Sequence, residues 1–185
     1  MMPPAVQYLY LLWNEPGQFM SQAWWEALGL TAWYDIYRHT PQVRPALNGI
    51  IRQHLDHVGP PPALSSVAHE FLSNEKRRLT LSIALGLWAL RCADYLLLKP
   101  YRETLTAQLD DFTLNQLLLL LPRQSSYRDL TPGLLPKVAQ ASGVAWLSHS
   151  TDPALYLCRL LNSPVSWNIP STPPDAVLQR LMKWL

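Results

Sequence analysis

Between Glu75 and Pro122 the chain reads EKRRLTLSIALGLWALRCADYLLLKPYRETLTAQLDDFTLNQLLLLLP, its longest apolar run. From Glu75 to about Leu98 the run is apolar nearly all round at helical spacing. Its polar residues Arg77, Thr80, Arg91 and Asp94 fall on one narrow stripe that passes through Ala84 and Trp88. A helix with so little wet surface belongs at the centre of a fold. The uncharged part, 79–90, is too short for a bilayer, which takes about 20 residues, and Arg91 and Asp94 follow it at once. Leu occurs 36 times against 13 for Val and Ile together. Leu keeps its rotamer freedom in a helix, whereas β-branched chains favour strands. The expected fold is therefore all-α, a single compact multi-helix domain around a central buried helix. A chain of 185 residues buries roughly 70% of its unfolded surface and needs no disulfide or metal to fold.

The elements around this core follow from their punctuation. Pro3 to Trp13 is apolar and reads equally as a short strand or a helical turn. A helix is predicted over 18–28, after Pro16-Gly17 and before Gly29, with Phe19, Ala23, Trp24, Ala27 and Leu28 on one stripe and Trp25 off it. A short helix over 32–38 places Trp33, Ile36 and Tyr37 together. Another runs from Pro45 to about Val58 with Leu47, Ile50, Ile51, Leu55 and Val58 on one face, and Gly59 suits its left-handed end. Gly59-Pro60-Pro61-Pro62 is a stiff spacer. It separates an aromatic-rich N-terminal helical layer (1–58) from a Leu-rich helical core (67–185), with 59–66 as a proline-rich linker. Ser65 or Ser66 can cap a helix containing Val67, Ala68, Phe71 and Leu72. Past the central helix, helices are expected over 101–109, over 112–121 capped by Asp110 or Asp111, and over 134–147 with Gly143 as a weak point. A short helix over 154–161 opens at Asp152-Pro153, and Thr172-Pro173-Pro174-Asp175 has the form of a capping box before a last helix over 176–184.

The chemistry-bearing residues are sparse. His54 and His57 share a helix face, with His69 beyond the linker. A zinc site needs three or four converging ligands, and the usual helical spacing of four with an adjacent Glu is absent. Solvated histidines are the reading. The alternative is a small helical metal-binding or enzymatic domain using His54 and His57, with His69 and a carboxylate such as Asp56 or Glu70. Ser142-Gly143 and Ser148-His149-Ser150 lack the surroundings of a nucleophile elbow. Cys92 and Cys158 lie in apolar patterns and read as small core residues. No catalytic, cofactor-binding or metal residue is assigned, and no cofactor is expected. A net charge of +2, from 15 basic and 13 acidic residues, gives no argument for nucleic acid, which needs a clustered basic face.

Local charge is more informative. Residues 1–37 hold Glu15, Glu26 and Asp35 but no Lys or Arg. Within them lie Trp24, Trp25, Trp33, Tyr34 and Tyr37, residue types enriched at interface hot spots. Trp24 and Trp25 diverge by about 100° on a helix, so one of them is expected to face away from the core. Lys76-Arg77-Arg78 forms a basic run that suits an acidic protein partner. These eight residues are the candidate partner-binding set. The opening MMPPAVQYLYLLWNEPG lacks a positive n-region, so no signal peptide is read and a cytoplasmic protein is expected.

LSIALGLWALRCADYLLLKPYRETLTAQLDDFTLNQLLLLLP, and later ASGVAWLSHSTDPALYLCRLLNSP, resemble one known family. These are the SctK/OrgA-like accessory subunits of the type III secretion sorting platform. The first stretch is similar to the family's Leu-rich helix followed by a linker and a helix pair. The second is similar to its small-residue-and-Trp helix followed by a proline-started one. The resemblance covers roughly 75–165. It implies a mainly helical adaptor without enzymatic activity. Its implied partners are the pod protein, the cytoplasmic domain of the inner-membrane ring and the ATPase stator. It also implies a place at the cytoplasmic face of the inner membrane, held peripherally through the ring without insertion, and carries no individual site residues over.

Overall fold

The computed structural model describes residues 1–121, 129–164 and 169–185. Among them are twelve α-helices joined by short 3-10 turns, and no strand. The helices are α1 (Pro4–Asn14), α2 (Gln22–Ala27), α3 (Tyr34–His39), α4 (Arg44–His54), α5 (Ser66–Ser73) and α6 (Glu75–Leu90). After the central α6 come α7 (Asp94–Leu97), α8 (Lys99–Leu105), α9 (Asp111–Leu120), α10 (Leu135–Trp146), α11 (Pro153–Leu157) and α12 (Asp175–Trp184). The N-terminal segment, ambiguous in the sequence, is helical.

Helix α6 is the core element, as its apolar run requires. Residues 81–87 and Ala89 are all buried. Helices α5, α9, α10 and α12 pack around it. Its start is set by Asn74, whose side-chain oxygen accepts from the backbone N–H groups of Lys76 and Arg77. Those two donors would otherwise be left without partners at the helix end. The helix is shorter than the sequence pattern predicts. It stops at Leu90 because Arg91 takes a left-handed conformation, φ 51°. The chain then turns so that Cys92, Tyr95 and Leu96 enter the core.

Helices α6 and α10 cross at very short range. A methyl group added at Gly86 would stand 1.6 Å from the Ala139 carbonyl oxygen, and one at Gly143 would stand 1.9 Å from that of Ser82. Two helices meet here almost backbone to backbone, flanked by buried Ser82, Ala139 and Ser142. Gly143 is thus a contact residue of the crossing and not a weak point of α10.

The caps follow the sequence with one exception. Ser65, Asp110 and Asp152 each accept from the first turn of α5, α9 and α11. Asp175 does not close a box on Thr172. It sits in the first turn of α12 and accepts from Ser150 Oγ and the Thr151 N–H. The Ser65 hydroxyl donates to Asp152, so the starts of α5, α11 and α12 are gathered at one edge.

The proline segment is pinned from below. Trp13 Nε1 donates to the Gly59 carbonyl at 3.0 Å. Helix α1 packs on α4, α5 and α11, so residues on both sides of the linker contribute to one core. Before the linker, α4 ends at His54, and Asp56 and Gly59 both take positive φ. Leu47 and Ile51 are buried as expected, Ile50 and Val58 are exposed, and Asn48 is buried in their place. Among the described residues no helix is long and apolar enough to cross a membrane.

Candidate partner-binding surface

The aromatic N-terminal layer is built by short helices whose phases differ from the sequence pattern. Pro16 opens a 3-10 turn, and α2 begins only at Gln22. The shift sends Trp25, not Trp24, into the interior. Trp25 is fully buried, with Tyr37 at 5.1 Å and Tyr34 at 5.9 Å between ring centroids. Tyr37 is buried too. Its hydroxyl donates to Asn48 Oδ1, which also accepts from the Gly17 N–H. Burial raises the Tyr37 pKa above its ordinary value, and the Asn48 hydrogen bond opposes that shift. Trp25 and Tyr37 are core side chains, so neither offers a surface to a partner in this fold.

The rest of the aromatic set faces outward to different degrees. Trp33 is 47% exposed and Ile36 is 39% exposed, so Trp33 and Tyr37 do not share a side as the sequence pattern predicts. Tyr34 is half-buried beneath the Arg38 guanidinium, 5.5 Å from the ring centroid. Trp24 is half-buried, and its indole N–H donates to the Asn162 carbonyl.

The basic run is divided between surface and scaffold. Lys76 is exposed. Arg77 Nε lies 2.8 Å from Glu70 Oε2, and its Nη1 donates to the Leu185 carbonyl, tying α5 and the C-terminus to α6. Arg78 lies 5.2 Å from the centroid of the Tyr8 ring, tying α1 to α6.

The histidines separate. His54 and His69 are exposed, whereas His57 is buried. The His57 ring stacks on Trp13 at 4.3 Å and 9°, with Nδ1 3.2 Å from the Trp13 carbonyl. Burial, reinforced by Arg159 and Arg52, lowers its pKa to about 4. Such a ring is neutral at pH 7 and is committed to packing. Among the described residues no three His, Cys, Asp or Glu side chains are placed to hold a metal ion. The Cys158 thiol is pushed up to about 12 by burial, so it carries almost no thiolate and is unreactive.

Two residues absent from the candidate set stand out. Arg159 is only 8% exposed inside the run Leu155–Leu161. Its guanidinium carbon lies 3.7 Å from the centroid of the Tyr156 ring and 5.8 Å from that of Trp24. Tyr156 is 41% exposed. The one signal in the sequence is a lone cation among apolar neighbours, LYLCRLL.

Among the described residues the arrangement is a helical body without strands, with exposed aromatic edges and arginines close to aromatic rings. Those are features of a surface that meets proteins. No curated protein and no solved structure matches the chain. Its residues 7–161 match the family described as type III secretion system subunit, and the chain belongs to that family.

Proposed function

We propose that the protein is a non-enzymatic adaptor of the type III secretion apparatus, an SctK/OrgA-like subunit of the sorting platform. In this reading it joins the cytosolic pod protein to the cytoplasmic domain of the inner-membrane ring, and contacts the ATPase stator. It sits at the cytoplasmic face of the inner membrane through the ring and does not insert. The observation that carries the proposal is the family match over residues 7–161. A body that is helical throughout its described elements, with exposed Trp33 and Ile36, suits an adaptor, since a multi-subunit assembly has to bury such side chains somewhere. Trp24, Trp33 and Tyr34 form the proposed aromatic contact, and Lys76, with Arg77 and Arg78 behind it, forms the proposed basic one. Two faces of different charge would orient two different partners, with the larger effect on association rate.

The test is affinity purification of the tagged protein from its native cells, with mass spectrometry of what accompanies it. The pod protein and the ring protein should co-purify, and Trp33→Ala or Lys76→Glu should lower the recovery of one of them. Recovery of no apparatus component would end the adaptor reading.

A further inference from the structure

We propose that the cavity between the starts of α5, α11 and α12 receives a lysine or arginine side chain of a protein partner. The proposal rests on the adaptor reading only in drawing that side chain from a partner.

The cavity measures about 300 Å³, and its lining includes Asp152, Asp175, Val67, Leu155, Ser66 and Gln179. Pockets for drug-sized ligands run from about 300 to 1,000 Å³, so this one suits a single long side chain better than a cofactor. The two carboxylates belong to one network. Ser150 Oγ donates to Asp175 Oδ1 and accepts from the Asp152 N–H. Both carboxylates are half-buried, and neither is in an ion pair. Among the described residues the ion pairs are Glu70 with Arg77, Glu103 with Lys99 and Asp111 with Arg102. The chain gives the two aspartates neutral donors only. Asp152 accepts from Ser65 Oγ and the Ala154 N–H. Asp175 accepts from Ser150 Oγ and from the N–H and hydroxyl of Thr151. A carboxylate has about four lone-pair sites, so acceptor capacity remains at both.

Capping accounts for part of this charge. A helix start carries roughly half a positive charge, so two whole negative charges beside three helix starts leave the cavity negative. The remaining charge stands where water is partly excluded, so a cation entering gains more than it would in an exposed ion pair. An anion would be repelled. Calcium takes about six to eight oxygen ligands, and among the described residues no three His, Cys, Asp or Glu side chains are placed to hold a metal ion. A basic side chain also suits the apolar part of the lining. Leu155 is buried and Val67 half-buried, a wall fitted to the methylene stem of Lys or Arg. Ser66 and Gln179 are exposed, so the cavity is reached from solvent.

The test titrates the full chain with capped Ala-Lys-Ala and Ala-Arg-Ala peptides, followed by amide chemical shifts. A capped Ala-norleucine-Ala peptide, which keeps the stem and loses the charge, and calcium chloride serve as comparators. The variants are Asp152→Asn, Asp175→Asn and, as a carboxylate outside the cavity, Glu103→Gln. A basic peptide should bind saturably and shift the amides of the lining residues. Each Asn variant should weaken it by about tenfold or more, the effect of losing a hydrogen bond to a charged group. Glu103→Gln should bind as the unaltered chain does, and the norleucine peptide should not bind. Equal binding by all variants, no saturable binding of either basic peptide at tens of millimolar, or calcium binding at the two aspartates while both peptides fail would each overturn the proposal. If circular dichroism shows the Asn variants unfolded, Gln179→Lys decides the matter. Gln179 lies one turn after Asp175 on α12 and lines the cavity, so the new ammonium would fill it from the chain itself and abolish peptide binding. Undiminished binding by that variant would refute the site. Purification from cells separates the two readings. Apparatus proteins recovered equally with Asp175→Asn and Gln179→Lys would refute the partner side chain and spare the adaptor. Intact peptide binding with no apparatus protein recovered would do the reverse.

Discussion

Gly86→Ala tests the central packing claim with one methyl group. Its new Cβ would sit 1.6 Å from the Ala139 oxygen and 2.4 Å from the Ala139 carbonyl carbon, where ordinary contact begins near 3.4 Å. Both obstacles are backbone atoms, so no side chain can swing away. Helices α6 and α10 would have to separate, and Ser82, Ala139 and Ser142 would lose their close contacts. Overpacking of a core costs typically 1–3 kcal/mol, and a backbone obstacle belongs at or above the top of that range. Against it stands the better helix propensity of Ala, about 1 kcal/mol. The net expectation is a loss of about 2 kcal/mol or more, or some 4–8 °C in Tm for a chain of this size. Gly49→Ala is the matched control. Gly49 lies inside α4 with nothing within 4 Å of a built Cβ, so only the propensity gain of about 1 kcal/mol applies. Urea unfolding followed by circular dichroism measures both. If Gly86→Ala were as stable as the unaltered chain, or gained stability as Gly49→Ala should, the close crossing would be refuted. Gly143→Ala should behave as Gly86→Ala does, since its Cβ would meet the Ser82 oxygen at 1.9 Å.

Asn74→Ala removes the acceptor of two N–H groups at the start of α6 and should cost about 1 kcal/mol, read by the same unfolding experiment. Trp25→Ala should cost about 3–5 kcal/mol as a large core truncation, whereas Trp33→Ala should stay within about 0.5 kcal/mol as a surface change. Equal costs would refute the assignment of one tryptophan to the core and the other to the surface. His57 has a pH signature. Its ordinary value is 6.5 and its folded value about 4, so below pH 6.5 the unfolded chain takes a proton that the folded chain resists. Stability from this group is complete above pH 6.5 and is lost as pH falls toward 4, by at most on the order of 3 kcal/mol. His57→Gln should flatten that part of the stability profile, and an unchanged slope between pH 6.5 and 4 would contradict the buried neutral ring.

Much of the fold was legible because its causes are local or strongly periodic. The Leu-rich composition, the apolar run from Leu79 and the caps Ser65, Asp110 and Asp152 all act within a turn or two of where they stand. What was not legible depends on distant atoms. Arg91 ends α6 in a left-handed conformation although the apolar pattern runs on to Leu98. The carboxylate of Asp175 is used across the chain by Ser150 and Thr151 instead of closing a box on Thr172. Gly86 and Gly143 read in one dimension as interruptions of good helices, whereas in three dimensions they let two helices meet. Trp25 fell off a stripe drawn for a helix of 11 residues, but α2 has 6. With the helix shortened, the phase argument no longer applied to it.

The candidate site was harder still, because its charge is not written where its aromatics are. Residues 1–37 contain no cation, and from sequence they form an acidic aromatic segment. In the fold, cations arrive from elsewhere. Arg38 covers Tyr34, Arg44 lies 5.5 Å from the Tyr37 ring centroid, Arg78 covers Tyr8 and Arg159 approaches Trp24. The last two are separated from their rings by 70 and 135 positions in sequence, a distance no window of charge patterning spans. Each ring face is electron-rich and each guanidinium lies flat on it easily, so the pairs attract with no carboxylate involved. Among the described residues the buried Nε of Arg52 has no hydrogen-bond partner, while Glu15, Glu26 and Asp35 are exposed. The aromatic rings are thus not set in acidic surroundings alone, because guanidinium groups from later in the chain lie against several of them. Charge patterning along the sequence therefore does not give the charge beside each ring, because the pairing of cation and ring is made by the fold.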